Sequence, residues 1–345
     1  MTNKEWFKQA KFGMMIHWGL YSLPAGEWRG ERMDEIGEWC QQYFRIPNAE
    51  YHRLAGIFNP ILFDAEEWVK LAKDAGMQYM VFTSKHHEGF AMYHSKVSKF
   101  NIVDATPFGR DVLSELAEAC YKHNMKLGLY YSQEIDWSEP NGGGYTSGKT
   151  WCNGKGYWTN NWDFPDDAHK NFSQCFEDKI KPQVKEILTG YGDICLIWFD
   201  TPGVITKEQS LELHAMIKKY QPDCLINSRI GNGAYDYVSL DDNEIPKEKP
   251  ERMPTAEECD MNSLGGFKYS PYGLYESAGT LNDSWGFKYY DHNWKSPETI
   301  AANRKHLNDL GINYLLNVGP DGLGRIPSFS EEILLKAAEI YEKQK

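Results

Sequence analysis

Several side chains in this 345-residue chain that could do chemistry stand directly after short apolar runs. The clearest case is Asp200, which follows the unbroken apolar run 194–199 and precedes Pro202 and Gly203. Such a run is typical of a strand buried on both faces of a parallel sheet. The carboxyl end of such a strand is where α/β enzymes place reactive groups. A structural interpretation is also open, in which Asp200 fastens a turn or caps the next helix.

Other predicted strands carry similar groups at their carboxyl ends. If all the strands are parallel and form one sheet, these groups meet at one edge of it, and together they indicate a site. The residues at these ends are His17 and Trp18, Lys85, His86 and His87, Ser132 and Gln133, Ser228 and Arg229, Asp241 and Asp242, Glu276, and Asn317.

Carboxylates, imidazoles and indoles at one site are compatible with three kinds of function. Glycoside hydrolysis needs one carboxylate as nucleophile or base and a second carboxyl group as proton donor. A metal-dependent barrel hydrolase would use His and Asp as ligands. However, adjacent His86 and His87 would point in opposite directions in a strand, and no HxH or HExxH pattern occurs, so we expect neither a metal nor a cofactor. A non-catalytic carbohydrate-binding protein would need the aromatic rings but no pair of acids.

The elements that must position these groups alternate between strand and helix patterns. Eight strand candidates separated mostly by helices predict one (β/α)8 TIM-like barrel domain over residues 1–345. The region 230–295 contains few helical patterns, so we expect the second half of the barrel to be irregular. Pro182 should kink or split the helix over 168–189. An open doubly wound sheet is the alternative, but no Gly-rich nucleotide loop follows the first strand.

The composition narrows the class of ligand. The formal charge of −12 and the absence of a basic run argue against nucleic acid as a partner, and no apolar segment is long enough to span a membrane. Without an apolar leader and with seven scattered Cys, we expect a cytoplasmic protein with reduced thiols. Aromatic residues make up 14% of the chain, and many stand beside short polar residues, which suits the C–H faces and hydroxyl edges of sugars.

Several motifs resemble the α-L-fucosidases of glycoside hydrolase family twenty-nine, in the same order along almost the whole chain. They are His17-Trp18-Gly19, Thr83 to Phe90 with its Lys-His-His-Glu-Gly-Phe block, Trp198-Phe199-Asp200, Tyr275-Glu276, Ser284-Trp285-Gly286, and Leu315 to Gly319. The resemblance implies exo-hydrolysis of terminal α-L-fucose with retention of configuration. Because the chain ends soon after the eighth strand, without the C-terminal β-sandwich of many members, it resembles the compact bacterial type that cleaves α-1,6-linked, core-type fucose.

The resemblance also implies roles for individual residues. Asp200 matches the nucleophile, and Asp242 matches the acid/base position when Glu244-Ile245-Pro246 is aligned with the Glu-Ile-Pro of the family. Glu276 is the rival for the acid/base, with Asp241 and Glu244 behind it. The residues expected to bind the sugar are His17, Trp18, His86, His87, Tyr131, Trp198, Arg229, Glu276 and Trp285.

Two long connections suggest control of access to the site. Residues 24–51 and 135–166 are long for plain connections, and together they could form a lid and a leaving-group subsite that includes Trp28. Ordinary surface loops are the alternative. The expected partner is a fucosylated oligosaccharide or glycoconjugate, and the exposed aromatic residues would also allow a homo-oligomer.

Overall fold

The computed structural model describes residues 2–142, 150–151, 156–157, 159–250 and 269–344. Eight parallel strands form its main sheet. Every residue of these strands is buried except Lys126, as expected for parallel strands covered on both faces. The strands are β1 (Phe12–Ile16), β2 (Tyr79–Lys85), β3 (Lys126–Tyr131), β4 (Ile194–Phe199), β5 (Leu225–Ile226), β6 (Val238–Ser239), β7 (Tyr275–Thr280) and β8 (Asn313–Val318).

The strand order makes the sheet a barrel. The hydrogen-bonded order is β6-β7-β8-β1-β2-β3-β4-β5, so β1 lies between β8 and β2. A single parallel bridge between Asn227 and Tyr237 joins the two ends of this order, immediately after β5 and before β6. The predicted (β/α)8-type fold is therefore confirmed, and the closing seam between β5 and β6 is its most weakly paired part.

The helices lie mainly between consecutive strands. Several begin at residues that cap their first turns, such as Asp64 and Asp111, whose carboxylates accept backbone N–H groups three residues later. The helices of eight or more residues are α1 (Asn3–Ala10), α2 (Ala65–Asp74), α3 (Val112–Lys122), α4 (Lys181–Thr189, preceded by the turns Phe172–Cys175 and Phe176–Ile180), α5 (Lys207–Tyr220), α6 (Pro297–Asp309) and α7 (Ser328–Glu342).

Two irregular features agree with the sequence. The helix before β4 changes to a π-helical turn over Phe176–Ile180, next to Pro182, which explains the interruption expected there. The described residues between β5 and β7 contain no α-helix, in line with the predicted irregular second half. No helix among the described residues has both the length and the apolarity to cross a membrane.

Alternation along the strands divides the core into two layers. Met15, Val81, Tyr130 and Trp198 belong to the cluster inside the barrel, together with Leu315. Their immediate neighbours along the strands pack in the outer layer with the helices; these are Met14, Ile16, Phe82, Tyr131 and Phe199. Successive side chains of a strand point to opposite faces, so neighbouring residues of one strand enter different layers.

Candidate active site

Asp200 stands at the carboxyl end of β4, where the backbone turns abruptly. Thr201 has a φ of 52°, an unusual value for a β-branched residue, and its N–H donates to Asp200 Oδ1 at 2.9 Å. The Asp200 N–H in turn donates to Gln133 Oε1 at 2.8 Å, which ties the end of β4 to the end of β3. The local fold therefore fixes the Asp200 backbone on both sides and directs its side chain into the pocket that it lines.

Two strong donors hold the Asp200 carboxylate. Tyr130 Oη donates to Oδ2 at 2.9 Å, and Arg229 Nη1 donates to Oδ1, also at 2.9 Å. The Nε2 atom of His87 lies 3.7 Å from Oδ2. Asp200 is only 9% exposed, so these contacts act in a partly desolvated setting in which charge-assisted hydrogen bonds are strong.

Asp242 reaches the same pocket from the loop after β6. Asn243 has a φ of 59°, and its N–H donates to Ala278 O at 2.8 Å, so the turn is pinned to β7. Asn243 Oδ1 accepts a hydrogen bond from Thr280 N at 2.9 Å. The Asp242 side chain is 25% exposed, against 12% for that of Asp200, which places Asp242 nearer to solvent.

Arg229 connects the two acids. Its Nη2 atom donates to Asp242 Oδ1 at 2.5 Å, while Nη1 serves Asp200. Burial alone would lower the pKa of Arg229, but the nearby Asp242 and Asp200 carboxylates outweigh burial and raise it. The guanidinium carbon also lies 4.5 Å from the centre of the Trp198 ring. One guanidinium therefore brings the two carboxyl groups together in the pocket.

Three buried histidines form one wall of the pocket. Burial is the main reason why the pKa of His17 falls to about 4, and it also moves the pKa values of His86 and His87 well below the usual range. Each ring is therefore neutral near pH 7, and a neutral imidazole offers one donor and one acceptor.

Hydrogen bonds indicate the tautomer of two of these rings. Asn317 donates through Nδ2 to Trp285 O at 2.7 Å, so its Oδ1 atom accepts from His17 Nδ1 at 2.7 Å. Ser132 Oγ donates to Ile135 O at 2.7 Å and therefore accepts from His87 Nδ1, also at 2.7 Å. In both rings Nε2 is then left as an acceptor for a hydroxyl donor.

Aromatic and apolar side chains complete the pocket. Trp198 and Trp285, which were predicted to bind the sugar, both line it, as do His17, His86, His87 and Arg229. The other lining residues are Met15, Ile36, Glu38, Trp39, Tyr130, Asp200, Thr201 and Asp242.

Two residues predicted to bind sugar lie outside this pocket. Trp18 packs in the outer core against Trp68 and Phe63, and its Nε1 donates to Asp321 O at 3.0 Å. Tyr131 also faces the outer layer and donates to Gln183 Oε1 at 2.9 Å. Both corrections have the same cause: each residue neighbours one that faces the barrel interior, and alternation sends it to the other side.

Glu276 also lies outside the pocket, below its floor. It is fully buried on β7 and accepts hydrogen bonds from Tyr79 Oη at 2.6 Å and from Trp198 Nε1 at 2.9 Å. Burial raises the pKa of Glu276 to about 7. From the second residue of β7, Glu276 supports the pocket through its hydrogen bond with the Trp198 indole. Because Glu276 does not line the pocket, the expected direct contact with sugar is not available to it.

Sequence reasoning missed several residues that line the pocket. Glu38 is buried there and accepts a hydrogen bond from Gly286 N at 2.8 Å, and burial raises its pKa to about 7. Trp39 follows it and packs edge-on against His87. Both belong to the long 24–51 connection, whose length was the one available signal. Tyr130 was missed because the alternation of inward-facing and outward-facing residues along its strand was predicted one residue out of phase.

The two long connections contact each other beside the pocket. Asn48 N donates to Asp163 Oδ2 at 2.6 Å, and Asn48 Nδ2 donates to Trp137 O at 2.8 Å. Trp162 Nε1 donates to Ile46 O at 3.1 Å. Residues 143–149, 152–155 and 158 of the predicted lid lie outside the described residues. That the two connections move as a lid, and that Trp28 belongs to a leaving-group subsite, stay predictions.

Two carboxyl groups on a shared arginine, in an aromatic pocket at the carboxyl ends of barrel strands, fit the requirements of a glycoside hydrolase site. No group of three or more His, Cys, Asp and Glu side chains in the described part of the chain is arranged to hold a metal ion. The chain belongs to the α-L-fucosidase family, whose model, described as Alpha-L-fucosidase, matches residues 1–344.

Solved structures and curated proteins agree with this family. Unliganded α-L-fucosidase AlfC from Lactobacillus casei is 56% identical, covers 99% of this chain and 98% of its own, and has a TM-score of 0.90. An aspartate-to-alanine mutant of AlfC in complex with Fucα(1,6)GlcNAc is 55% identical, covers 99% of both chains and has a TM-score of 0.89. The tissue α-L-fucosidase of Bos taurus is 28% identical over 346 residues, or 95% of this chain. The chain spans 65% and 63% of the lengths of the first two curated relatives.

Proposed function

We propose that this protein is a retaining exo-α-L-fucosidase that removes terminal α-linked L-fucose, with core-type α-1,6-fucosyl-N-acetylglucosamine as its substrate. The observation that carries the proposal is the pair Asp200 and Asp242 held on the two terminal nitrogens of Arg229 inside the aromatic pocket. The 55% identity to a fucosidase solved with Fucα(1,6)GlcNAc supports the linkage.

The proposed reaction is a double displacement. Asp200 attacks the anomeric carbon of fucose while Asp242, protonated in the resting enzyme, donates its proton to the glycosidic oxygen. The more buried position of Asp200 suits a group that meets the sugar ring, and the more exposed position of Asp242 suits one that meets the leaving group. Asp242 then takes a proton from the water that releases fucose.

Arg229 balances the charge of the two acids through both steps of the proposed reaction. One guanidinium balances one carboxylate, so the resting cluster is neutral when Asp200 is ionised and Asp242 carries the proton. After the attack, Asp200 is a neutral ester and Asp242 has lost its proton. The same guanidinium then faces the Asp242 carboxylate, which is the charge state that a general base requires.

The neutral histidines and the indoles account for recognition of the sugar. The Nε2 acceptors of His17 and His87 suit fucose hydroxyls, and the faces of Trp198 and Trp285 suit its C–H bonds and its C5 methyl group. Three neutral imidazoles, one arginine and three acids line the pocket, with Asp242 protonated at rest and the pKa of Glu38 raised to about 7 by burial, so the pocket favours an uncharged sugar.

A panel of α-1,2-, α-1,3-, α-1,4- and α-1,6-fucosyl disaccharides tests the proposal. We expect fastest release from the α-1,6 compound, and proton NMR of the first-formed fucose should show the α anomer. Release from none of them, with activity on another glycoside, would exclude the fucosidase. Calorimetric binding of fucosides without any turnover would instead favour a non-catalytic carbohydrate-binding protein.

A further inference from the structure

A second cavity, of about 120 Å³, lies beside the active-site pocket. It is formed by the loop after β7, the end of β8 and the first turn of α7. Nothing in the proposed reaction at Asp200 and Asp242 uses this space.

Five aromatic side chains line this cavity. Trp294 and Phe329 are stacked at an interplanar angle of 20° with their centroids 6.3 Å apart, and Tyr289 and Phe287 line it as well. Phe329 is 61% exposed although it is large and apolar. Aromatic faces that remain open to a ligand are the feature that binds the C–H faces of pyranose rings.

Polar groups stand among these rings. Asp291 lines the cavity with only 6% of its surface exposed, and its carboxylate accepts a hydrogen bond from Asp283 N at 3.1 Å. The indole N–H of Trp294 is buried and has no hydrogen-bond partner among the described residues. His292 and Lys288 also line the space. A few fixed polar groups among aromatic walls provide donors and acceptors for hydroxyl groups.

The cavity is directly connected to the active site. Trp285 lines both spaces. Asn317 lines the second cavity, and it accepts from His17 Nδ1 and donates to Trp285 O, both at 2.7 Å. A ligand in the second cavity would thus contact residues that also position the sugar pocket.

We propose that this cavity is a second carbohydrate-binding site, which takes one neutral pyranose of the glycan that carries the fucose. This inference rests on the proposed function for the choice of glycan. The occupant is a neutral sugar because Asp291 and Lys288 contribute opposite charges, while Trp294 and Phe329 supply the apolar platform. The site adds affinity for the glycan and leaves the chemistry at Asp200 unchanged.

Calorimetry with N,N′-diacetylchitobiose, in the presence of saturating L-fucose, tests the site without any hydrolysis. We expect one binding event on the wild-type protein that Phe329→Ala and Trp294→Ala each weaken about tenfold, as expected for the loss of one aromatic contact. Phe329 is largely exposed, so its variant is expected to fold even if Trp294→Ala does not. Tyr121→Ala, at a residue 91% exposed on α3, is the matched control and should bind like the wild type.

Steady-state kinetics provides the second readout. Phe329→Ala should lower kcat/KM for a fucosylated chitobiose through KM, while kcat/KM for an aryl fucoside stays within twofold of the wild type. An absence of chitobiose binding, or binding that is unaffected by both substitutions, would refute the second site. Equal losses on both substrates would also refute it, because they would assign the cavity a structural role in supporting Trp285. None of these outcomes depends on which linkage the active site cleaves, so failure here is distinguishable from failure of the proposed function.

Discussion

Replacing Asp242 and Glu276 separately identifies the proton donor. Asp242→Ala removes the carboxyl group that Arg229 holds in the pocket. General acid catalysis typically contributes ~10²–10⁴-fold, so we expect kcat/KM on the α-1,6 disaccharide to fall by that factor, about 3–5 kcal/mol in the activation free energy. The loss should shrink with aryl fucosides whose leaving groups depart without protonation. Azide should restore turnover through the space that the carboxylate vacates and give α-fucosyl azide.

Glu276→Gln should behave differently, because the Glu276 carboxylate contacts Tyr79 and Trp198 and does not line the pocket. The amide can still accept from Trp198 Nε1 and can donate to Tyr79 Oη, so the variant is expected to fold. Glu276→Ala would leave both donors unpaired in the core, at ~1–3 kcal/mol each in the free energy of unfolding. Any loss of activity in the Gln variant should be the same for all leaving groups, since it would act through the position of Trp198.

The assay is kcat/KM for a series of aryl fucosides of graded leaving-group pKa, measured with and without azide. A steep dependence on the leaving group should appear only in Asp242→Ala. Rescue of Glu276→Gln by azide, together with no rescue of Asp242→Ala, would refute the assignment of Asp242. Circular dichroism of each variant checks that the comparison is made on folded protein.

Three further predictions follow from neighbouring contacts. Tyr130→Phe should lower kcat about tenfold because it removes the donor to Asp200 Oδ2. Tyr131→Phe should leave both kcat and KM unchanged, and steady-state kinetics on an aryl fucoside compares the two variants. Trp18→Ala should lower the free energy of unfolding by ~3–5 kcal/mol in urea titrations, with no change in KM for the folded fraction, and a raised KM would contradict its place in the core. Burial raises the pKa of Glu88 to about 8, so the folded state retains a proton that the unfolded chain releases near pH 4.5. The free energy of unfolding therefore falls as the pH rises from about 4.5 to about 8. Melting temperatures across this range should therefore decline less for Glu88→Gln than for the wild type, while the exposed control Glu118→Gln should follow the wild type.

The barrel was predictable because its signals are local and repeated. A buried parallel strand reads as an apolar run, and the run before Asp200 identified both β4 and the residue at its end. The same logic located the strands of the irregular half, although β5 and β6 are only two residues long in the structure. The placement of Asp242 needed the family resemblance, since no local pattern distinguishes it from Asp241.

Side-chain direction was harder to predict than strand position. His17 and Trp18 are adjacent, as are Tyr130 and Tyr131, and only one of each pair faces the pocket. An apolar run buried on both faces carries no alternation from which to choose between them. Glu38 was out of reach for a different reason: it comes from a connection without periodicity, and only the folded loop brings it against Gly286.

The closing seam of the barrel determines how far its strand edges are open to pairing with another chain. A barrel with no seam has no strand edges, but here β5 and β6 are joined by a single bridge and a few backbone bonds, such as those from Asp236 N and Tyr237 N to Ile226 O. Each short strand therefore shields the other from pairing with a foreign chain. Arg229 follows one of these strands and Asp242 follows the other, so the hydrogen bond between them joins the two sides above the seam. The contact that arranges the two acids thus also protects the most vulnerable edge of the fold.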